Sequence, residues 1–250
     1  MDLSAFATAG MLPAGHRVAL WRPGLVAPRH SEVFAAGSEA SGAALALALA
    51  LDGLNASPHP DPSPQSAGRG DQRPVLWVQD AASLRLTGQP YRAGLPPRLR
   101  GRLIHVAARK CEDALFALEE GVRCRDLACV IGELAGNPRA LDFTASRRLS
   151  LAAEQHGVPL FLVRLDAARD LSAARMRWQV RAAPSPHPQW NAHAPGAPAW
   201  HAELFRARAH APGEWILTDD GQNLVAAHGA GTPHHGDLAA AAGDRSLAAR

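Results

Sequence analysis

Residues 33–54 read VFAAGSEASGAALALALALDGL, a short apolar run followed by a glycine-containing loop and an Ala/Leu-rich segment. Strand, loop and helix in this order reproduce the outline of the phosphate-binding loop G-x-x-x-x-G-K-[ST], with Gly37 and Gly42 in the two glycine places. In that loop the lysine reaches the outer phosphates and the hydroxyl holds magnesium. Ala43 and Ala44 stand in those places here. The stretch therefore predicts the fold of a nucleotide hydrolase without its chemistry.

The rest of the composition does not restore that chemistry. Lys110 is the only lysine among the 250 residues and lies far from the loop in sequence. The net charge of +3 permits contact with nucleic acid but does not argue for it, because counterion release needs clustered cations. The three cysteines lack the C-x-x-C spacing of a zinc site, so we expect reduced thiols.

Apolar runs alternate with helical segments along the first two thirds of the chain. The predicted strands are 31–36, 74–79, 102–107, 127–131 and 158–163, and the predicted helices are 42–54, 112–124 and 144–156. This alternation predicts an α/β fold of the phosphate-loop nucleotide-hydrolase type, a mostly parallel sheet with helices on both faces. Residues 175–181, 200–209 and 214–218 follow as strands, which we expect to be antiparallel and to extend the sheet.

We expect one domain with flanking segments. Its parts are an N-terminal arm (1–30), the α/β core (31–165, with a flexible loop at 55–73), a C-terminal β extension (166–221) and a disordered tail (222–250). The first residues lack the pattern of a signal peptide, and the longest apolar run, 43–51, is too short to span a bilayer. The expected location is the cytoplasm, without membrane contact.

Several candidate site residues follow from these positions. The loop residues Gly37, Gly42, Ala43 and Ala44 form either a backbone-only nucleotide site at a helix N-terminus or an inherited tight turn, and the missing lysine and hydroxyl favour the turn. Asp80 ends a predicted strand, as the magnesium-organising acid of such folds does. Since its would-be partner is Ala44, we interpret Asp80 as a vestigial acid that serves as a turn residue at the end of its strand. No catalytic residue and no cofactor are expected.

The arginines are the candidates for contact with a partner or DNA. Arg147 and Arg148 fall in the first turn of a predicted helix, where the helix dipole disfavours cations, which hints at an anionic partner. Arg175, Arg177 and Arg181 share one face of a predicted strand. That face is either solvated over a buried Trp178 or a cationic strip for single-stranded DNA or an acidic partner. The tail histidines lack any sign of a supporting shell, so no metal site is predicted.

The order of several segments resembles one protein family, the ImuA family of bacterial mutagenic translesion-synthesis cassettes. The segments are ALEEGVR (117–123), VIGE (130–133), LDFTASRRLSLAAE (141–154), MRWQV (176–180), APS (183–185) and GAPAWHAELFRAR (196–208). The resemblance as a whole extends over roughly residues 74–218. Each segment alone is weak evidence, but their order and spacing are specific.

The resemblance implies a RecA-like α/β core and a role in damage-induced (SOS) error-prone DNA synthesis. Its implied partners are ImuB, a polymerase-like protein of the Y family, with RecA and an error-prone replicative-type polymerase as further ones. The first hypothesis is therefore a non-catalytic adaptor that acts through an ImuB-type protein. The alternatives are a single-stranded-DNA-binding or RecA-modulating module and, with less support, an atypical ATPase.

Overall fold

Strands and helices alternate along the chain in the computed structural model, which describes residues 19–25, 29–56, 71–188, 190–191, 193–220 and 224–228. The elements, in chain order, are β1 (His30–Ala35), α1 (Ser41–Ala56), β2 (Val75–Asp80), α2 (Ala81–Thr87), β3 (Leu103–Ala108), α3 (Cys111–Arg123), β4 (Cys129–Ala135), α4 (Phe143–His156), β5 (Leu160–Leu165), β6 (Met176–Ala182), β7 (Ala199–Ala207), β8 (Gly213–Asp219) and β9 (Leu224–His228). The predicted strands and helices all correspond to one of these elements. The short helix α2 was not predicted.

All nine strands join one sheet in the order β3-β2-β4-β5-β1-β6-β7-β8-β9. The strands from β3 to β6 pair in parallel, and β7, β8 and β9 follow in antiparallel pairing. The predicted fold class, a RecA-like α/β sheet extended by antiparallel strands, is confirmed. One detail was wrong: β6 pairs parallel with β1, so it belongs to the parallel core and only β7–β9 are antiparallel.

The sheet buries a separate apolar cluster on each face. On one face α1 covers side chains such as Val33, Phe161 and Trp178. Its Ala/Leu sequence suits a buried helix, because both residue types favour helix and neither is β-branched. On the other face α3 and α4 cover a second cluster that includes Leu118 and Leu149. Helices on both faces are what a parallel sheet requires.

The helix α4 is bounded by clear sequence signals. The Asp142 carboxylate accepts the Ala145 N–H at 2.7 Å, which satisfies one of the free donors of the first turn. Gly157 ends the helix with a φ of 74°, a left-handed conformation that glycine adopts without steric cost. The helix therefore begins at Phe143, which sets the position of each arginine on it.

Two expectations for the ends of the chain can be compared with the structure. Trp21 of the N-terminal arm is buried, with its ring edge-on to Trp178 at 4.8 Å and to Trp215 at 5.6 Å between centroids, so this part of the arm packs on the core. The disordered tail was predicted to begin at residue 222, but residues 224–228 form β9 against β8. That boundary was wrong, and the rest of the predicted tail lies outside the described residues, as does most of the loop 55–73.

Candidate functional site

The connection between β1 and α1 spans residues 36–40, at the carboxyl edge of the parallel strands. Gly42 already lies in the first turn of the helix. A methyl group on Gly42 would sit 2.7 Å from the Ala35 Cβ and 2.9 Å from the Val163 Cγ1, both closer than van der Waals contact allows. The second glycine of the loop is therefore explained by the close packing of α1 on β1 and β5.

The N–H of the first glycine of the loop is hydrogen-bonded to a carboxylate of the chain itself. The Gly37 N–H donates to the Asp166 Oδ1 at 2.9 Å, and the Asp166 N–H donates to the Ala35 carbonyl at 3.0 Å. Asp166 has a φ of 49°, and among the described residues it is the one non-glycine with a positive φ. Asp tolerates this conformation better than most residues. An internal anion thus bonds a backbone donor of the type that cradles phosphate in active loops.

The acid inside the loop is also bonded. The Ala182 N–H, at the end of β6, donates to the Glu39 Oε2 at 2.9 Å. This bond ties the loop to the strand on the other side of β1. Together with the Asp166 bond, it holds the loop from both neighbouring strands by carboxylates of the protein.

The two alanines that replace lysine and hydroxyl pack against the apolar cluster on the α1 face. Ala44 lines a cavity of about 460 Å³ between α1 and residues 94–100, where Leu47 and Pro97 also contribute. Lys110 follows β3, and β3 is separated from β1 by three strands. At about 4.8 Å per strand, roughly 19 Å separate the two, so the lone lysine cannot reach the loop.

Asp80 caps a helix, which is a more specific structural role than the strand-end turn predicted for it. It is the last residue of β2 and the N-cap of α2, and its Oδ1 accepts the Ser83 N–H at 2.7 Å. β2 is separated from β1 by β4 and β5. The position of Asp80 is accounted for by helix capping, which typically contributes about 1 kcal/mol.

A second acid at this edge, Glu133 on β4, was missed as a site residue although it appears in the segment VIGE. Glu133 is buried, its Oε1 accepts the Trp77 Nε1–H at 2.6 Å, and its Oε2 accepts the Thr87 hydroxyl at 3.0 Å. Burial raises the pKa of the Glu133 carboxyl above its ordinary value, and the hydrogen bonds oppose that rise. A strand-end acid after an apolar run was the available signal.

The two arginines of α4 are exposed, but the prediction that they lie in its first turn was wrong. The helix begins at Phe143, so Arg147 and Arg148 fall in its second turn and the dipole argument does not apply. The Arg148 Nε lies 3.1 Å from the Glu119 Oε2 on α3. Among the described residues no ion pair of Arg147 is found.

The three arginines around β6 do not form a cationic strip. Arg177 is 3% exposed and its Nε donates to the Glu32 Oε2 at 2.7 Å, so the prediction of a solvated or DNA-binding side chain was wrong for Arg177. Arg175 precedes β6 and pairs with Glu154 of α4. Arg181 is exposed at the end of the strand. Within the part of the chain that the structure describes, Arg181 is thus the one arginine of the three that is exposed and has no ion pair.

Arg177 belongs to a buried charge cluster that spans β5, β1 and β6. Glu32 accepts the Ser172 hydroxyl at 2.7 Å and lies 3.8 Å from Arg164, which itself reaches Asp170 at 3.2 Å. The Phe34 ring lies beneath both guanidinium groups. Its centroid is 5.5 Å from the Arg164 Cζ and 5.0 Å from the Arg177 Cζ. Because side chains alternate along a strand, these charges share one face of the sheet. The sequence patterns alone did not reveal that this face is buried.

Two curated proteins are similar in sequence to this chain. Both are named Protein ImuA and come from the NA1000 and CB 15 strains of Caulobacter vibrioides; each is 35% identical over 185 residues, which is 70% of this chain and 69% of the relative. The chain belongs to the ImuA family. A comparison with models of protein families finds no match.

The exposed surface of α4 is the other notable feature of this ImuA-family chain. Phe143, Arg147 and Leu151 follow at intervals of four residues, which puts them along one side of the helix. Phe143 is 50% exposed and Leu151 is 53% exposed. Nearby, Leu171 lies in the segment whose Ser172 hydroxyl bonds the Ser146 hydroxyl of α4. These four residues define the α4 surface: two apolar helix side chains around an arginine, beside an exposed leucine.

Two classes of site find no support in the part of the ImuA-family chain that the structure describes. Within those residues no group of three or more His, Cys, Asp and Glu side chains is arranged to hold a metal ion. No helix there is both long and apolar enough to cross a bilayer.

Proposed function

We propose that this protein is a non-catalytic accessory protein of SOS-induced error-prone DNA synthesis, which works in the cytoplasm through contacts with an ImuB-type polymerase-like protein. RecA and an error-prone replicative-type polymerase are further partners under this proposal. Membership of the ImuA family supports the pathway. The bond between Gly37 and Asp166 supports the non-catalytic role.

The loop lacks the groups that turnover of a triphosphate requires. A triphosphate needs cations and free backbone donors, and here alanines replace the lysine and hydroxyl while a carboxylate holds a loop N–H. A phosphate approaching Gly37 would meet the Asp166 carboxylate as a like charge. Each charge-assisted bond that is lost costs roughly 1.5–3 kcal/mol, so the absent lysine alone weakens nucleotide binding by about that amount.

Nucleotide binding and hydrolysis are measured directly to test the non-catalytic role. We expect Mg-ATP and Mg-ADP to leave the melting temperature of the full chain unchanged, and we expect no release of phosphate above a buffer control. Hydrolysis that disappears in Asp80→Asn would contradict the proposal and favour an ATPase with an atypical loop.

The contact with the partner is assigned to the α4 surface. Exposed aromatic and aliphatic side chains around an arginine form the kind of surface that protein interfaces use, with an apolar centre and a charge for orientation. Phe143 and Leu151 leave apolar area in water that a partner would cover. Arg147 sets the chemistry of that partner: an apolar patch that carries a carboxylate.

Co-purification tests the contact. The chain and the ImuB-type protein of the same genome are co-expressed, and we expect the wild type to retain its partner and Arg147→Glu with Leu151→Glu to lose it. The matched control is Arg206→Glu with Val225→Glu, which changes an exposed arginine and an exposed apolar residue on other elements. Equal retention of the partner by both double variants would rule out the α4 surface. That result is expected if Arg181 mediates the contact instead.

The alternative of a single-stranded-DNA-binding module has less support. Its cationic face loses Arg177 to Glu32, and the tryptophans of β6 and β7, Trp178 and Trp200, are 1% and 4% exposed. Stacking needs an accessible ring. We therefore expect weak DNA binding that Arg181→Ala changes little, measured by anisotropy of a labelled oligonucleotide at several salt concentrations.

A further inference from the structure

The strand β3 lies at one end of the sheet and pairs only with β2 among the described residues. About half of the backbone N–H and C=O groups of an edge strand point away from its neighbour. Such a row is a template for another strand. Proteins usually block it with a charge or proline inside the strand, with a bulge, or with a covering element.

β3 carries none of the sequence devices that block an edge. Its six residues, LIHVAA, contain no proline and no charged side chain apart from His105. Burial lowers the pKa of His105 and nearby Arg92 lowers it further, so this ring is neutral at pH 7. Ile104 is 47% exposed, which leaves an aliphatic side chain in water beside the unpaired backbone. An added strand would bury both.

Cations flank the strand at both ends. Arg98, Arg100 and Arg102 precede it, and Arg109 and Lys110 follow it. Arg100 and Arg102 bond backbone carbonyls, at Leu95 and Asp71, which leaves the positive charge of each side chain uncancelled by those bonds. The first turn of α3 carries Glu112 and Asp113, so the surplus of positive charge is larger at the end where β3 begins.

This charge pattern disfavours pairing of β3 with a second copy of the chain. In a symmetric antiparallel pair Arg102 of one copy would stand opposite Arg109 of the other, and in a parallel pair each cation would stand beside its own equivalent. Like charges directly opposite each other destabilise strand pairing. An acidic residue at each end of the added strand would reverse the sign of those contacts.

We propose that the β3 edge binds an extended segment of another protein, apolar in its middle and acidic at its ends, as a tenth strand of the sheet. The backbone groups of β3 supply the hydrogen bonds, Ile104 supplies an apolar contact, and the flanking arginines select the charge. This surface is separate from the α4 surface, because α3 packs both on β3 and on α4 and lies between them. The proposed strand addition at β3 and the proposed contact through α4 are therefore independent, and either can fail without the other.

A synthetic peptide tests the proposal on the full chain. The probe has two glutamates, six alternating valines and threonines, and two further glutamates; the control peptide has lysines in place of the glutamates. We expect the acidic peptide to bind and to slow amide exchange within residues 103–108. The lysine peptide should bind at least about tenfold more weakly, with the difference shrinking as salt is added.

Matched variants locate the binding. Ile104→Glu puts an acid at the edge and should weaken binding of the acidic peptide by about tenfold or more. Val225→Glu is the control, since Val225 is 54% exposed on β9, the strand at the opposite end of the sheet, and it should bind as the wild type does. Thermal unfolding of each variant checks that it is folded.

Four outcomes would overturn the proposal. These are equal binding of the two peptides, unchanged binding by Ile104→Glu, equal loss in both variants, and slow exchange of the β3 amides before any peptide is added, which would mean that the chain covers its own edge. Self-pairing is detected separately with an amine-reactive crosslinker. Because Lys110 is the only lysine, a link between two Lys110 side chains would identify a second copy as the occupant.

Discussion

Arg177 and Glu32 lie side by side on neighbouring parallel strands and form an ion pair with its Nε–Oε2 distance at 2.7 Å, although 145 residues separate them in sequence. Both side chains are buried, so each charge has given up its water. Removing one partner of such a pair leaves the other unpaired inside the protein, which costs more than the pair itself contributes.

We predict that Arg177→Ala lowers the unfolding free energy by about 3–5 kcal/mol, because the buried Glu32 then loses its nearest cation and keeps only the Ser172 hydroxyl and the more distant Arg164. Arg181→Ala, at the exposed end of the same strand, should change it by less than about 0.5 kcal/mol. Urea denaturation followed by circular dichroism measures both. Equal effects of the two substitutions would show that the pair does not bear on stability.

The bond between Asp166 and Gly37 leads to a second prediction. Asp166→Ala removes the acceptor and forces an alanine into a positive φ, and the two costs sum to about 2 kcal/mol. Asp166→Asn keeps an acceptor oxygen and tolerates the backbone, so it should cost less than about 1 kcal/mol. Chemical denaturation of the two variants compares them. If Asn costs as much as Ala, the carboxylate charge matters and the hydrogen bond does not.

Gly42 yields a prediction about packing. A Cβ at this position would stand less than 3.0 Å from Ala35 and Val163, so Gly42→Ala should destabilise the protein by about 1–3 kcal/mol through overpacking. Gly101→Ala is the control, because no atom lies within 4 Å of the added methyl group. Thermal melts of both variants report the difference. A stable Gly42→Ala protein would mean that α1 can shift away from the sheet.

His30 predicts a dependence of stability on pH. Burial lowers the pKa of the His30 imidazole from 6.5 to about 4, while Glu32 and Glu154 raise it and Arg177 and Arg175 lower it by smaller amounts. Between these two pH values the unfolded chain binds a proton that the folded chain does not. The unfolding free energy should therefore fall as the pH falls from about 6.5 to about 4, by up to about 3 kcal/mol.

The control for this dependence is the double variant His30→Leu with Ser150→Ala, which also removes the hydroxyl that bonds the His30 Nδ1 at 2.6 Å. Its stability should lose this part of the pH dependence. Glu133 acts in the opposite direction, because its raised pKa makes the folded state weaken as the pH rises above 4.5. The comparison of the variant with the wild type isolates His30, and parallel pH curves for the two proteins would contradict the assignment.

The sequence was sufficient for the order of the elements because periodicity is a local property. The Ala/Leu segment, the Asp142 cap and the Gly157 terminator each act within one helix, and each was visible in the pattern. The helix α2 was missed because Asp80 was interpreted as a strand-end acid and its capping bond to Ser83 was not considered. The direction of β6 was missed because direction depends on which distant strand it meets.

In the candidate site, too, the sequence was sufficient for residue types and not for contacts between distant residues. Ala43 and Ala44 were sufficient to predict a loop without its usual cation and hydroxyl, since these are statements about residue types. The role of Asp166 was invisible, because 129 residues separate it from Gly37 and only the fold brings them together. Arg177 looked like a surface residue on alternation alone, since alternation tells the two faces of a strand apart but does not tell whether each face is covered.

The central place of β1 in the sheet has a consequence for synthesis on the ribosome. β1 is the earliest of the nine strands along the chain, yet its neighbours β5 and β6 begin at residues 160 and 176. A nascent chain therefore exposes both edges of β1, and the carboxylate of Glu32 stays hydrated, until the second half of the polypeptide has emerged. The sheet can therefore close only late in synthesis, and until then the unpaired edges of β1 are open to contact with other chains.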